Sequence, residues 1–302
     1  MKTTQRFSDR VEDYVKYRPG YPEGIIAWLR DAYGLSPEWD VADIGSGTGI
    51  STELFLRNGN TVFAVEPNRE MREKAESLLQ YYAGAGAREA GATGAAARGA
   101  GREASATGAA ASGAGREASA TGAAARGAGR GQFISIDGTA EATGLADGSV
   151  NMIVAGQAFH WFDAVRCRPE FVRILRPPGV VALVWNERLV ESPFEKEYED
   201  LIVRYGTDYT YVNHKVNSDE KIAAFFQPAA FELAIFPNEQ VFDLDGLKGR
   251  LLSSSYIQKE GPRHGEMLQS LRELFDRHAA GGRVRVGYDT KVYSGILKPK
   301  ST

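Results

Sequence analysis

Short apolar runs alternate with longer amphipathic segments along most of this 302-residue chain. The runs are rich in Val, Ile, Ala and Phe, as strands are, whereas the segments between them carry apolar residues at helical spacing. Strands are predicted at residues 41–44, 61–65, 133–136, 150–155 and 180–185. This alternation predicts an α/β domain in which helices cover both faces of a parallel sheet.

The segments between the strands give the helices. A helix is predicted at residues 51–57, after the first strand and its turn, and a second helix of roughly 14 residues begins at Arg69. Residues 171–175 belong to a helix that ends at the Arg-Pro-Pro-Gly run 176–179, because proline cannot continue it. Residues 284–297 alternate apolar and polar positions and predict a final, half-buried strand.

Residues 83–131 break this pattern with a repeat of Ala, Gly, Arg, Glu, Ser and Thr. An Arg-Glu-Ala block begins at positions 88, 102 and 116, a spacing of 14 residues. Alanine offers too little apolar surface to build a core, and the regular glycines oppose helix, so disorder is expected. An inserted low-complexity loop is favoured over the alternative, a basic tether for an acidic partner.

Composition narrows the classes of partner. The net charge of -3 gives no general basic field, so nucleic acid is not expected as a partner. The single cysteine cannot form an internal disulfide, which favours a cytoplasmic location. Neither an apolar run of about 20 residues nor the apolar core of a secretory signal is present, so no membrane segment or leader is expected.

The clearest chemical signal is the glycine-rich turn that follows the first strand. Its sequence is Asp43-Ile44-Gly45-Ser46-Gly47-Thr48-Gly49. In an open α/β sheet, ligands bind beyond the carboxyl ends of the strands, so this turn predicts a cofactor site. A dinucleotide fingerprint would place glycine or alanine at position 50, where the chain has Ile50, and this weakens an NAD interpretation.

This turn resembles the first motif of class I S-adenosylmethionine-dependent methyltransferases, and Glu66 resembles their ribose-binding acid at the end of the second strand. An ionised carboxylate at that strand end can accept two hydrogen bonds from vicinal ribose hydroxyls. The resemblance implies that S-adenosylmethionine is the cofactor. The residues that it assigns to cofactor binding here are Asp43, Gly45, Ser46, Gly47, Gly49 and Glu66.

Three further segments resemble the same family in order. Residues 137–141 are similar to the loop beside the adenine, with Thr139 where an acid is usual. Residues 149–162 resemble the fourth strand and the stretch that borders cofactor and acceptor, and residues 173–179 resemble the family's Leu-Lys-Pro-Gly-Gly turn. The cofactor-binding residues that this implies are Thr139, Ala140, Glu141 and Gln157.

The run from residue 7 to residue 22 resembles the lid of a small-molecule branch known as methyltransferase type 11. The resemblance implies that Tyr14 and Arg18 close over the cofactor; a surface helix before a proline-pinned turn is an equal alternative. It also implies a Rossmann-like, doubly wound, mostly parallel seven-stranded sheet with an antiparallel last strand. The expected divisions are a lid at 1–35, a methyltransferase domain at 36–302 interrupted by the repeat at 83–131, and a substrate-side insertion at about 191–259.

The implied function is methyl transfer to a small molecule, for which the protein mainly positions and desolvates the reactants. His160 is the best candidate for a general base, although a histidine that packs beside Trp161 fits the sequence as well. Aromatic and polar residues are candidates for the acceptor pocket, although aromatic residues at strand ends are also common in cores. The candidates are Trp161, Trp185, Asn186, Tyr209 and Tyr211.

Two other functions stay open from the sequence. One is an NAD-dependent oxidoreductase, which position 50 disfavours. The other is a catalytically silent, methyltransferase-like scaffold that acts through its basic repeat. No metal site is predicted.

Overall fold

A computed structural model describes residues 15–83, 131–207 and 219–299. The predicted roles of Tyr14, Tyr209, Tyr211 and residues 84–130 fall outside these ranges. The helices are α1 (Gly24–Tyr33), α2 (Ile50–Arg57), α3 (Arg69–Leu79), α4 (Ala164–Ile174), α5 (Pro193–Tyr205), α6 (Asp219–Phe226), α7 (Leu244–Leu252) and α8 (His264–His278). The strands are β1 (Asp40–Ile44), β2 (Thr61–Val65), β3 (Gln132–Ile136), β4 (Val150–Gly156), β5 (Leu175–Arg188), β6 (Glu232–Phe242) and β7 (Val284–Lys298).

The strands form one seven-stranded sheet in the order β3-β2-β1-β4-β5-β7-β6. β1 to β5 run parallel to one another, and β7 lies antiparallel between β5 and β6. The direction of winding reverses between β1 and β4, which is where ligands bind in doubly wound sheets. The predicted fold class is therefore confirmed.

Apolar side chains fill both faces of the sheet, as the continuous apolar runs require. Along β4, Met152 and Val154 join one core, whereas Ile153 and Ala155 join the other. Helices α1, α2 and α3 cover the first face, and α4 and α6 cover the second. None of the helices within the described ranges has the length and apolar composition needed to cross a membrane.

Two elements differ from the sequence prediction for identifiable reasons. α4 ends at Ile174, before the prolines, but β5 begins at once at Leu175 because this residue already pairs with Val150 of β4. β6 was not predicted, since Pro237 interrupts its pattern. Proline is tolerated there because β6 is an edge strand, paired with β7 alone.

The sheet is lengthened on one side only. β1 to β4 contain five to seven residues, whereas β5, β6 and β7 contain 14, 11 and 15. Gly156, the last residue of β4, pairs with Val184, so β5 continues four residues beyond it to Arg188. We call this projecting part of β5, β7 and β6 the overhang. Helices α5, α7 and α8 pack with its first β7 residues around a third apolar core.

Candidate functional site

A cavity of about 350 Å³ lies at the carboxyl ends of the parallel strands, beneath the overhang. One end is formed by the glycine-rich turn, the end of β2 and the loop 139–141. The other end is formed by residues of the overhang, α5 and α7. The sequence-predicted cofactor residues and a set of residues that the sequence did not single out therefore face the same space.

The glycine-rich turn is fixed to β2 by its backbone. The N–H groups of Gly45 and Ser46 both donate to the carbonyl of Val65, at N···O distances of 2.8 and 3.2 Å. Gly47 has φ +57°, lines the cavity, and would direct a Cβ into open space. Gly49, at φ +89°, does not line the cavity, and a Cβ there would lie 2.6 Å from Leu79 Cδ1. Gly47 thus leaves room for a ligand, whereas Gly49 allows α3 to pack against the turn.

Glu66 follows the last residue of β2 and is held by two backbone donors. Its Oε2 accepts from the N–H of Gly47 and its Oε1 from the N–H of Asn68, both at 2.9 Å. Burial raises the pKa of this carboxyl group, while these two N–H groups and the nearby Arg72 oppose the rise. Each carboxylate oxygen can accept a further hydrogen bond. Glu66 therefore presents a fixed, acceptor-rich edge to the cavity that it lines.

Asp43 lies behind the turn and does not line the cavity. Its side chain is fully buried, and its Oδ2 accepts hydrogen bonds from Ser51 Oγ at 2.7 Å and Thr52 Oγ1 at 2.6 Å. Burial raises the pKa of Asp43 to about 6, although the two hydroxyl donors oppose the shift. The contacts show how Asp43 ties the end of β1 to the first turn of α2.

Gln157 is the only non-glycine residue with a positive φ in the described part of the chain, at 54°. Its N–H donates to Val184 O at 2.8 Å, and its Nε2 donates to Asn186 O at 3.1 Å. Gln157 lines the cavity, and its Oε1 is buried and accepts no hydrogen bond from the described residues. A strained backbone and an unused buried acceptor together are typical of a ligand site.

The loop after β3 closes the same end of the cavity. Thr139 and Ala142 exchange two backbone hydrogen bonds, at 3.1 and 3.2 Å, which form a tight turn. Thr139, Ala140 and Glu141 all line the cavity. Glu141 also accepts from the N–H of Asp163 at 3.0 Å, so its carboxylate fixes the start of α4.

The aromatic segment after β4 is divided between the cavity and the core. Trp161 lines the cavity and is 39% exposed. His160, whose ring lies 4.8 Å from that of Trp161, does not line it. Burial, with a smaller contribution from the charge of Arg18, lowers the pKa of His160 to about 4, so the imidazole is neutral at pH 7.

Trp185 and Asn186 are neighbours on β5 with opposite environments. Trp185 is 2% exposed, packs edge-on against Phe159 and Tyr293, and does not line the cavity. Asn186 lines the cavity, but its amide is engaged, since Nδ2 donates to the carbonyl of Gly20 at 3.2 Å. Asn186 therefore anchors the N-terminal segment against the overhang.

Arg18 belongs to that N-terminal segment and lines the cavity. Its Nη2 donates to the carbonyl of Ser253, just after α7, at 3.3 Å. Beside it, the Tyr17 ring packs against α7: a Cβ at Gly249 would lie 2.1 Å from it. Residues 17–20 thus hold the N-terminal segment against α7 and β5.

The far end of the cavity contains charged and phenolic groups that sequence reasoning missed. Arg188 forms an ion pair with Glu199, and Arg250 donates to Tyr288 Oη at 3.2 Å. These residues lie on β5, α5, α7 and β7, and no local motif connects them. The periodicity of residues 284–297 predicted that Tyr288 faces inward, but not what it meets. The cavity-lining members of this group are Arg188, Glu199, Arg250, Tyr256 and Tyr288.

Comparison with known proteins places this geometry in context. A family model described as a methyltransferase domain matches residues 83–183. An uncharacterized methyltransferase of Mycobacterium tuberculosis (strain ATCC 25618 / H37Rv) is 28% identical over 200 residues, which are 66% of this chain and 60% of the relative. The chain thus spans about 60% of the length of this mycobacterial relative.

Two other similarities extend over nearly the whole chain. An uncharacterized methyltransferase-like protein of Schizosaccharomyces pombe (strain 972 / ATCC 24843) is 23% identical over 97% of this chain and 96% of its own. A solved structure from Anaeromyxobacter dehalogenans, assigned as a type II methyltransferase, has a TM-score of 0.59 at 19% identity, covering 94% of this chain and 100% of that one. The second similarity shows a shared fold.

Nothing in these comparisons supports the oxidoreductase interpretation. The family match includes the loop 139–141 and β4 but begins after the glycine-rich turn and Glu66, and the solved structure shares the overall fold. The chain is therefore similar in sequence to methyltransferases and shares the fold of a solved methyltransferase structure.

Proposed function

We propose that this protein transfers a methyl group from S-adenosylmethionine to a small-molecule acceptor bound in the cavity. The observation that carries the proposal is the carboxylate of Glu66, which Gly47 and Asn68 fix at the cavity wall with its remaining lone pairs unused by them. The family assigns an acid at this position to the ribose. Preorganised acceptors of this kind bind a diol without the cost of ordering a free side chain.

The residues present fit the cofactor. Glu66 would hold the ribose, the loop 139–141 would lie beside the adenine, and the open space at Gly47 would admit the bound molecule. Gln157 Oε1, a buried acceptor without a donor in the described residues, would accept from the cofactor's ammonium group. Ser46 lines the same wall, whereas Asp43 and Gly49 would act from behind it by fixing the turn.

When bound, S-adenosylmethionine supplies a methyl group on a sulfonium sulfur, which keeps the bonding electron pair as the new bond to the acceptor forms. The chain contributes position and surroundings. Glu66 and Glu141 give this end of the cavity negative charge, which favours a cationic ligand. Trp161 and Phe162 line the cavity and exclude water from part of it.

A neutral His160 is compatible with two roles. As a base it would take the acceptor's proton only weakly, because a pKa of about 4 lies far from neutral pH. As a packing residue it would hold Trp161 in place. The acceptor-side set of this proposal is Trp161 and Asn186 at the cavity, Trp185 behind it, and Tyr209 and Tyr211 in the insertion at about 191–259. Tyr14 and Arg18, in the lid, are assigned to the cofactor.

Titration calorimetry tests the proposal. S-adenosylmethionine and S-adenosylhomocysteine should bind at one site per chain, whereas NAD should not bind. Incubation with S-adenosylmethionine and a panel of small acids and phenols should then release S-adenosylhomocysteine. Binding without release from any acceptor would favour the silent scaffold, and NAD binding alone would restore the oxidoreductase alternative.

A further inference from the structure

Arg250 is a buried cation at the far end of the cavity. It is 6% exposed, on α7, and lines the cavity. Nε donates to Tyr288 Oη at 3.2 Å, and Nη1 donates to Ser254 Oγ at 3.1 Å. A guanidinium has five N–H groups, so Nη2 keeps both of its hydrogens without an acceptor in the described residues.

No carboxylate within the described ranges lies within 4 Å of this guanidinium. The acidic residues that line this end already have cationic partners: Glu199 pairs with Arg188, and Glu187 pairs with Lys291 at 2.7 Å. The two groups that bond to Arg250 are neutral hydroxyls. A buried charge with neutral partners alone is costly, and a bound ligand of opposite charge would offset that cost.

The pKa of the Tyr256 phenol reflects the electrostatic environment at this end of the cavity. Burial, the largest single effect, would raise its pKa, but the charges of Arg188, Arg250 and Arg18, together with a hydrogen bond to Ser254, lower it. Tyr256 and the three arginines line the cavity. The far end is therefore electropositive, in contrast to the end at Glu66 and Glu141.

We propose that the methyl acceptor is a carboxylate, whose anionic group is held by Arg250 at the electropositive end of the cavity. This inference rests on the proposed methyl transfer. The Nη2 hydrogens lie in the plane of the guanidinium and suit a planar carboxylate. Because those hydrogen bonds engage the carboxylate's lone pairs, this group anchors the acceptor and another atom of the acceptor receives the methyl group.

The smallest carboxylates serve as probes, since formate and acetate need little space. Protein saturated with S-adenosylhomocysteine is unfolded thermally at increasing formate, acetate or acetamide, at constant ionic strength. Both carboxylates should raise the Tm saturably, by about 3 °C or more at tenfold their Kd, and acetamide should not. Arg250→Met should abolish the rise, whereas Arg277→Met, a control in an exposed ion pair with Glu197, should keep it.

Equal rises in wild type and Arg250→Met, no saturable rise in wild type, or equal action of acetamide would overturn the inference. A larger rise with inorganic phosphate than with carboxylate would overturn the choice of ligand. Arg250→Lys, which keeps the charge, should retain part of the effect, and it replaces Arg250→Met if that variant does not fold.

Two controls separate this inference from the proposed function. Failure of wild type to bind S-adenosylhomocysteine would remove the proposed function itself, before any carboxylate is added. If Arg250→Met instead weakens S-adenosylhomocysteine more than tenfold but leaves methylthioadenosine unchanged, Arg250 serves the cofactor's own carboxylate, and the inference is overturned.

Discussion

Replacing Glu66 with alanine removes the acceptors that we assign to the ribose. Each hydrogen bond between an ionised group and a hydroxyl contributes about 1.5–3 kcal/mol, so two such bonds contribute at least roughly 3 kcal/mol. At about 1.4 kcal/mol per factor of ten, Glu66→Ala should raise the Kd for S-adenosylhomocysteine at least about 100-fold. The N–H groups of Gly47 and Asn68 also lose their acceptor.

Calorimetry of wild type, Glu66→Ala and Glu66→Gln measures this effect. The glutamine variant should lie between the other two, because its amide keeps one acceptor but turns a donor toward one of the two backbone N–H groups. Glu70→Ala, which removes an exposed carboxylate one turn further on, is the matched control and should leave the Kd unchanged. A change of less than fivefold in Glu66→Ala, in a variant that melts as wild type does, would refute the assignment.

Three other substitutions test the packing of the glycine-rich turn, the raised pKa of Asp43 and the role of His160. Gly49→Ala should lower the Tm more than Gly47→Ala, although both alter a positive φ, because only a Cβ at 49 meets Leu79; equal Tm values would contradict this. With the pKa of Asp43 raised to about 6, the wild-type carboxyl favours folding when protonated, and this stabilisation is lost as pH rises from about 4 through 6. The free energy of unfolding of Asp43→Asn, measured in urea, should therefore rise relative to that of wild type across this pH range, by a total on the order of 3 kcal/mol. A difference between the two proteins that does not change with pH would exclude the pKa shift. His160→Asn should keep methyl transfer within tenfold and leave its rate flat from pH 6 to 8; a larger loss would make the histidine catalytic.

The signals that predict the cofactor half of the site are local, and the structure brings most of their residues to one cavity. The glycine turn and Glu66 are about 20 residues apart, each directly after a short apolar strand, and parallel pairing of those strands brings them together. The bounds of β1, β2 and β4 were close to those predicted, since these strands are buried on both faces and read as continuous apolar runs.

The far half was not predictable by the same reasoning. Arg250 meets Tyr288 across 38 residues, through the packing of α7 on antiparallel β7, and neither residue belongs to a motif. Trp185 shows a related limit. The predicted strand ended at this residue, where a side chain would face a ligand, but β5 continues to Arg188 and encloses Trp185 between Phe159 and Tyr293.

The unequal strand lengths divide the molecule into halves that can change separately. The short strands β1 to β4 and the loops that follow them carry the residues that we assign to the cofactor, whereas the overhang and the helices packed on it carry Arg250 and its neighbours. Exchange of residues 186–291 between relatives should therefore transfer acceptor preference while the nucleoside site is inherited intact. Evolution and protein engineering can therefore both change the acceptor site at the long strands without changing the cofactor site at the short ones.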